Sequence, residues 1–142
     1  MKRWLTAAAL LSATALQAAP APRSEGADPN STLVGKWAWT LPGTQCTETY
    51  DYRPDGKLYV ISGDEKSDNT YEIVPHDNAH QFIKIQATIV KDHGGEDCTE
   101  SSEDNTGGEH VFYLVFQPGG EQHAMCPSAA LNQCVGPLRR VP

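Results

Sequence analysis

The sequence predicts an all-β domain, an eight-stranded up-and-down antiparallel barrel with two disulfides at one end. Three observations lead there. Apolar and aromatic side chains recur with a period of two in short runs. Clusters of Gly, Pro, Asp and Asn separate those runs, and the four cysteines fall beside turns on one side of the resulting meander. No apolar stripe with the 3.6-residue period is long enough to specify a helix.

The chain divides into an expected leader, a lead-in and one domain. Residues 1–18 carry Lys2 and Arg3, an apolar run from Trp4 to Leu16, and small residues at Ala18 and Ala19, the pattern of a cleaved signal peptide. That apolar run is shorter than the roughly 20 residues a membrane-spanning helix needs, and no later stretch approaches it, so no membrane insertion is expected. The first cysteine is Cys46, far beyond the cleavage region, so a lipid anchor at the new N-terminus is not expected either. Residues 19–31, with three prolines and several small polar residues, read as a disordered lead-in. The domain is expected over 32–142.

Each strand has its own signal. The first, 33–41, puts Leu33, Gly35, Trp37, Trp39 and Leu41 on one face, and the tryptophans point inward. The second, 46–53, alternates Tyr50 and Tyr52 with Thr49 and Asp51, and the turn Pro54, Asp55, Gly56 leads into the third, 57–62. The fourth is short, 70–74. The fifth, 82–90, sets Ile83, Ile85, Ala87 and Ile89 on one side. The sixth, 110–116, is apolar on both faces, and Pro118, Gly119 and Gly120 turn it into the seventh, 122–126. A last short strand is expected over 134–138. Closing such a meander removes the exposed edges it would otherwise carry.

Cys46, Cys98, Cys126 and Cys134 are an even count in a chain expected to be exported, and they read as two disulfides rather than as metal ligands or nucleophiles. In the meander all four lie at one end. Cys126 with Cys134 across one hairpin, leaving Cys46 with Cys98, is the preferred pairing. Cys46 with Cys134 and Cys98 with Cys126 remains open, because spacing does not encode connectivity.

Charge narrows the partners. Loss of the leader takes the basic count from 11 to 9 against 18 acidic residues, a net charge of −9 with histidines neutral. A phosphate backbone repels such a surface, so nucleic acid is not an expected partner. A small-molecule ligand or a basic protein suits it, and a monomer is expected.

Gly35, Lys36 and Trp37, with Arg139 beyond the last expected strand, resemble the signature of small bacterial lipocalin-like, or calycin, barrels. The resemblance implies that Trp37 closes the barrel floor and that Arg139, with Arg140 as second candidate, packs across its ring. Gly35, Trp37 and Arg139 are on that reading structural, and their replacement is expected to cost stability.

Signatures of serine nucleophiles, zinc peptidases and phosphate loops are missing, so a non-enzymatic protein without a cofactor is expected. Trp39, Tyr50, Tyr52, Phe112 and Phe116 are the bulky candidates for the barrel interior, and a ligand would enter at the mouth opposite Trp37. The segment 91–109 holds seven acidic residues among four glycines and reads as a solvated, disulfide-tethered flap over that mouth, with cation or basic-protein binding as the sharper alternative. It fits no recognised calcium loop. His76, His80 and His123 fall at the bottom rim, where three imidazoles could bind zinc or copper, but they read first as solvated loop residues. His93 and His110 belong to the other end. The expected function is therefore a periplasmic or secreted barrel binding a small hydrophobic or aromatic molecule. The alternatives are an inhibitor or adaptor of a protein such as a lysozyme or protease, and metal binding.

Overall fold

The computed structural model of the chain describes residues 28–76 and 82–142. Among them, eight antiparallel strands form a closed barrel: β1 Gly35–Thr40, β2 Thr47–Tyr52, β3 Lys57–Ser62, β4 Glu65–Val74, β5 Ile83–Asp92, β6 Glu109–Phe116, β7 Gln122–Cys126 and β8 Val135–Val141. Each strand pairs with its predecessor, and β8 returns to β1 through Trp37 opposite Arg140 and Ala38 opposite Arg139. Cys46 is bonded to Cys98 and Cys126 to Cys134, the preferred pairing. Both bridges lie at the rim where β1, β3, β5 and β7 end, so the sulfur atoms share one end of the cylinder.

The leader, 1–18, and most of the lead-in lie outside the described residues, but the end of the lead-in differs from expectation. Pro29–Leu33 is a short helix, α1, rather than disordered chain and the start of a strand. The Asp28 carboxylate accepts from the Asn30 backbone N–H at 3.0 Å, Pro29 occupies a first-turn position where its missing N–H costs nothing, and Leu33 is completely buried. Burial of one leucine outweighs the low helical stability of so short a segment.

β4 and β8 extend by several residues beyond the expected bounds, and β5 and β6 by one or two. β4 begins at Glu65 instead of residue 70, because Glu65 to Asn69 are polar on both faces and show no apolar alternation. Gly63, at φ +59, makes the tight turn that precedes it, where a Cβ would come within 2.8 Å of the Glu96 carbonyl. β8 runs to Val141, so Arg139 and Arg140 lie within the last strand and not beyond it.

That extension corrects the closing arginine. Alternation places Leu138 and Arg140 on the inner face and leaves Arg139 exposed on the outer one. Arg140, not Arg139, lies over Trp37, its guanidinium carbon 4.2 Å from the ring centroid. The same group donates to the Thr32 carbonyl at 2.7 Å and the Val34 carbonyl at 2.9 Å, fastening α1 across the barrel floor. Trp37 is completely buried and its indole N–H donates to the Leu33 carbonyl at 2.9 Å. Gly35 has φ +131, and a Cβ there would stand 2.5 Å from Arg140 Nη1, so both the backbone and the arginine require glycine.

His123 is a further correction. It is completely buried inside the barrel rather than solvated on the rim, with its ring 4.7 Å from Trp37 and 4.9 Å from Phe116. Its Nε2 has no hydrogen-bond partner among the described residues. Burial, aided by the nearby Arg140 charge, pushes its pKa down to about 4.

Candidate functional site: a cavity at the disulfide rim

The lower half of the barrel is filled. Trp37, Tyr52, Ile85, Leu114 and Leu138 are all at most 1% exposed, and Tyr52 meets Tyr71 edge-on at 5.1 Å between ring centroids. Above this floor the interior opens into a cavity of about 230 Å³. Its apolar wall is made of Tyr50 from β2, Leu58 and Val60 from β3, Ala87 and Ile89 from β5, and Phe112 from β6. These positions are inward because each shares the alternation phase of a buried neighbour on its own strand, such as Tyr52, Ile85 or Leu114.

The mouth is polar. Glu48, Ser62, Glu65 and Ser67 line it from β2, β3 and β4, with Asp97 and Asn105 from the flap and His110 at the start of β6, while Asn69 lies deeper, paired with Leu58. Glu48 organises one side. One of its oxygens accepts from the Trp39 indole N–H at 2.9 Å and the Tyr50 hydroxyl at 2.8 Å, and the other accepts from the Ser62 hydroxyl at 2.8 Å. Ser62 in turn accepts from the Cys98 N–H at 3.1 Å, so the wall is joined to the tethered flap. Burial and then the Glu48 charge raise the Tyr50 phenol well above its ordinary range.

The flap, 93–108, is folded onto the rim. Asp92, only 4% exposed, accepts from the backbone N–H groups of Gly94 at 2.8 Å and Asn105 at 2.9 Å, and these bonds hold its carboxyl below the usual range. Burial, then a hydrogen bond shared with Asp92, raises Glu65. Asp97 accepts from the Thr99 N–H and hydroxyl at 2.8 Å each and from the Ser101 N–H at 2.9 Å, which lowers its pKa, the Ser101 bond most. Asp104 accepts from the Thr106 N–H at 2.9 Å. Asp92, Asp97 and Asp104 are thus turn formers whose oxygens accept from the local backbone. Among the described residues no group of three or more His, Cys, Asp or Glu is placed to hold a metal ion.

Of the five interior candidates, Tyr50 and Phe112 line the cavity. Trp39 stands beside it, bonded to Glu48, while Tyr52 and Phe116 belong to the floor, Phe116 with its ring 5.6 Å from Trp37. His110 reaches the mouth, stacked near Phe112 at 5.8 Å between centroids, and His93 pairs with Asp68 at 2.9 Å on the outside. Of the bottom histidines, His76 contacts the Phe82 carbonyl at 2.6 Å, His123 is buried against Trp37, and His80 lies outside the described residues. Glu48, Ser62, Glu65, Ser67 and Asn69 were not singled out from the sequence. Glu48 was legible in part, since it shares the inward phase of Tyr50 and Tyr52. Compared with protein-family models, with curated proteins and with solved structures, the chain matches none.

Proposed function

We propose that this protein is an exported lipocalin-like barrel that binds a small hydrophobic or aromatic molecule and performs no chemistry on it. The cavity above the Trp37 floor carries this reading: an apolar well with one mouth, opposite the end closed by Arg140. At about 230 Å³ it lies below the usual range of about 300 to 1,000 Å³ for drug-sized ligands, which suits a molecule of one or two rings. The stacking of an arginine on the Gly35-Lys36-Trp37 tryptophan supports the lipocalin-like assignment. Two disulfides with no free cysteine support a periplasmic or secreted location, where such bonds persist. The engagement of Glu48 with an indole, a phenol and a hydroxyl supports an architectural carboxylate over a catalytic one.

Titration with neutral one-ring and two-ring compounds, followed by tryptophan fluorescence and native mass spectrometry, tests the proposal. Saturable one-to-one binding that shifts the emission is expected, because Trp39 is bonded to Glu48 in the cavity wall. Absence of saturation across the panel at millimolar concentration refutes it.

A further inference from the structure

Resting on that ligand-binding reading, we propose that Tyr50 and Phe112 determine its specificity: the cavity selects a planar aromatic ring, held between these two side chains, over a saturated molecule with the same skeleton. The barrel topology puts the two rings on facing walls. Tyr50 stands on β2 and Phe112 on β6, four strands apart in either direction around the closed barrel, and both line the same well of about 230 Å³. Among the described residues that line the well from β3, β4 and β5 there is no aromatic side chain, so Tyr50 and Phe112 are its two posts and aliphatic and polar groups such as Val60, Ser67 and Ala87 form the wall between them.

Both rings are held in place by neighbours. The Tyr50 hydroxyl donates to Glu48 at 2.8 Å, and that carboxylate is itself fixed by the Trp39 indole N–H at 2.9 Å and the Ser62 hydroxyl at 2.8 Å. The Phe112 ring lies nearly parallel to the His110 ring, with 13° between planes and 5.8 Å between centroids. Side chains anchored in this way lose little freedom when a ligand arrives, so the slot is preorganised. Its chemistry then discriminates in two ways. An aromatic ligand gains offset-stacked or edge contacts with each post beyond the free energy of the area it buries, and a saturated ring gains the area alone. A saturated ring is also thicker, and posts that cannot swing aside exclude it.

Two pairs of neutral alcohols with matched skeletons test this: benzyl alcohol with cyclohexylmethanol, and naphthalen-2-ylmethanol with its decahydro analogue, each titrated by calorimetry and by NMR of the ligand. The saturated member of each pair carries more apolar surface, so area burial alone would favour it. The aromatic member is expected to bind about tenfold more tightly, with its ring protons shifted upfield by the two flanking rings. Phe112→Leu keeps that wall apolar while removing one post. With its melting temperature measured alongside, it is expected to lose most of the aromatic preference and of the upfield shift, and to bind the saturated alcohols at least as well as before. Equal binding within both pairs, or an unchanged preference in folded Phe112→Leu, overturns the aromatic slot and leaves the apolar cavity standing. Binding of none of the four alcohols overturns both.

Discussion

Arg140 lies over Trp37 at 4.2 Å and reaches past it to the carbonyls of Thr32 and Val34, so one side chain joins β8, β1 and the short helix that caps the floor. The neighbouring Arg139 is exposed on the outer face of β8.

Arg140→Ala should therefore destabilise the protein by about 2 to 3 kcal/mol, from a cation–aromatic contact and two charge-assisted hydrogen bonds. Arg139→Ala should change stability by no more than about 0.5 kcal/mol. Urea denaturation of both variants measures the difference, and equal effects would return the closing role to Arg139. Arg140→Lys should recover little, because an ammonium cannot both lie flat on the indole and reach two carbonyls.

His123 makes stability depend on acid. Its folded pKa of about 4 lies below the ordinary 6.5, so the unfolded chain takes up a proton that the folded one refuses. The stability this confers is complete above about pH 6.5, falls as pH drops from there, and is gone below about pH 4, a change of about 3 kcal/mol. Glu65, with a raised pKa, works in the opposite sense on acidification. Comparison with His123→Phe isolates the histidine: the difference in urea midpoint between the two proteins should depend on pH across that window. A constant difference from pH 7 to pH 4 would show that the imidazole titrates normally.

The two disulfides should be separable. Cys46 and Cys98 are 52 residues apart, and loss of their bond should cost about 4 kcal/mol by chain entropy together with ligand binding, since Cys98 fixes Ser62 and the flap. Cys126 and Cys134 are only 8 apart, and their loss should cost about 2 to 3 kcal/mol while leaving the cavity intact. Paired Cys→Ala variants, measured for both unfolding and binding, check this ordering.

Ala87→Leu should occlude the well. Ala87 is 4% exposed and its side chain faces the cavity, so three added carbons occupy space that is otherwise open. Binding should be lost with stability unchanged or raised by up to about 1 kcal/mol. Retained affinity in a normally folded variant would place the ligand elsewhere.

The cylinder was largely legible in the residues. Trp37 and Trp39, Tyr50 and Tyr52, and Ile83 through Ile89 alternate plainly, and Pro54, Asp55 and Gly56 mark a turn that local chemistry alone specifies. The site was legible only through its aromatic wall. Glu65 to Asn69 carry no apolar rhythm, because their inward members line the polar part of the cavity rather than a packed core, so this half of the strand was hidden.

Strand order, the rim that gathers the sulfur atoms, and the inward face of most strands thus follow from the sequence by itself, since alternation and turns depend on neighbours a few residues apart. Which of two adjacent arginines closes the floor and whether His123 meets water or Trp37 were decided only by the tertiary structure. Those choices depend on register between distant segments, as in the bonds from Arg140 to Thr32 and Val34 more than 100 residues away, and on bulges such as the one beside Met125 that reset which side chain turns inward.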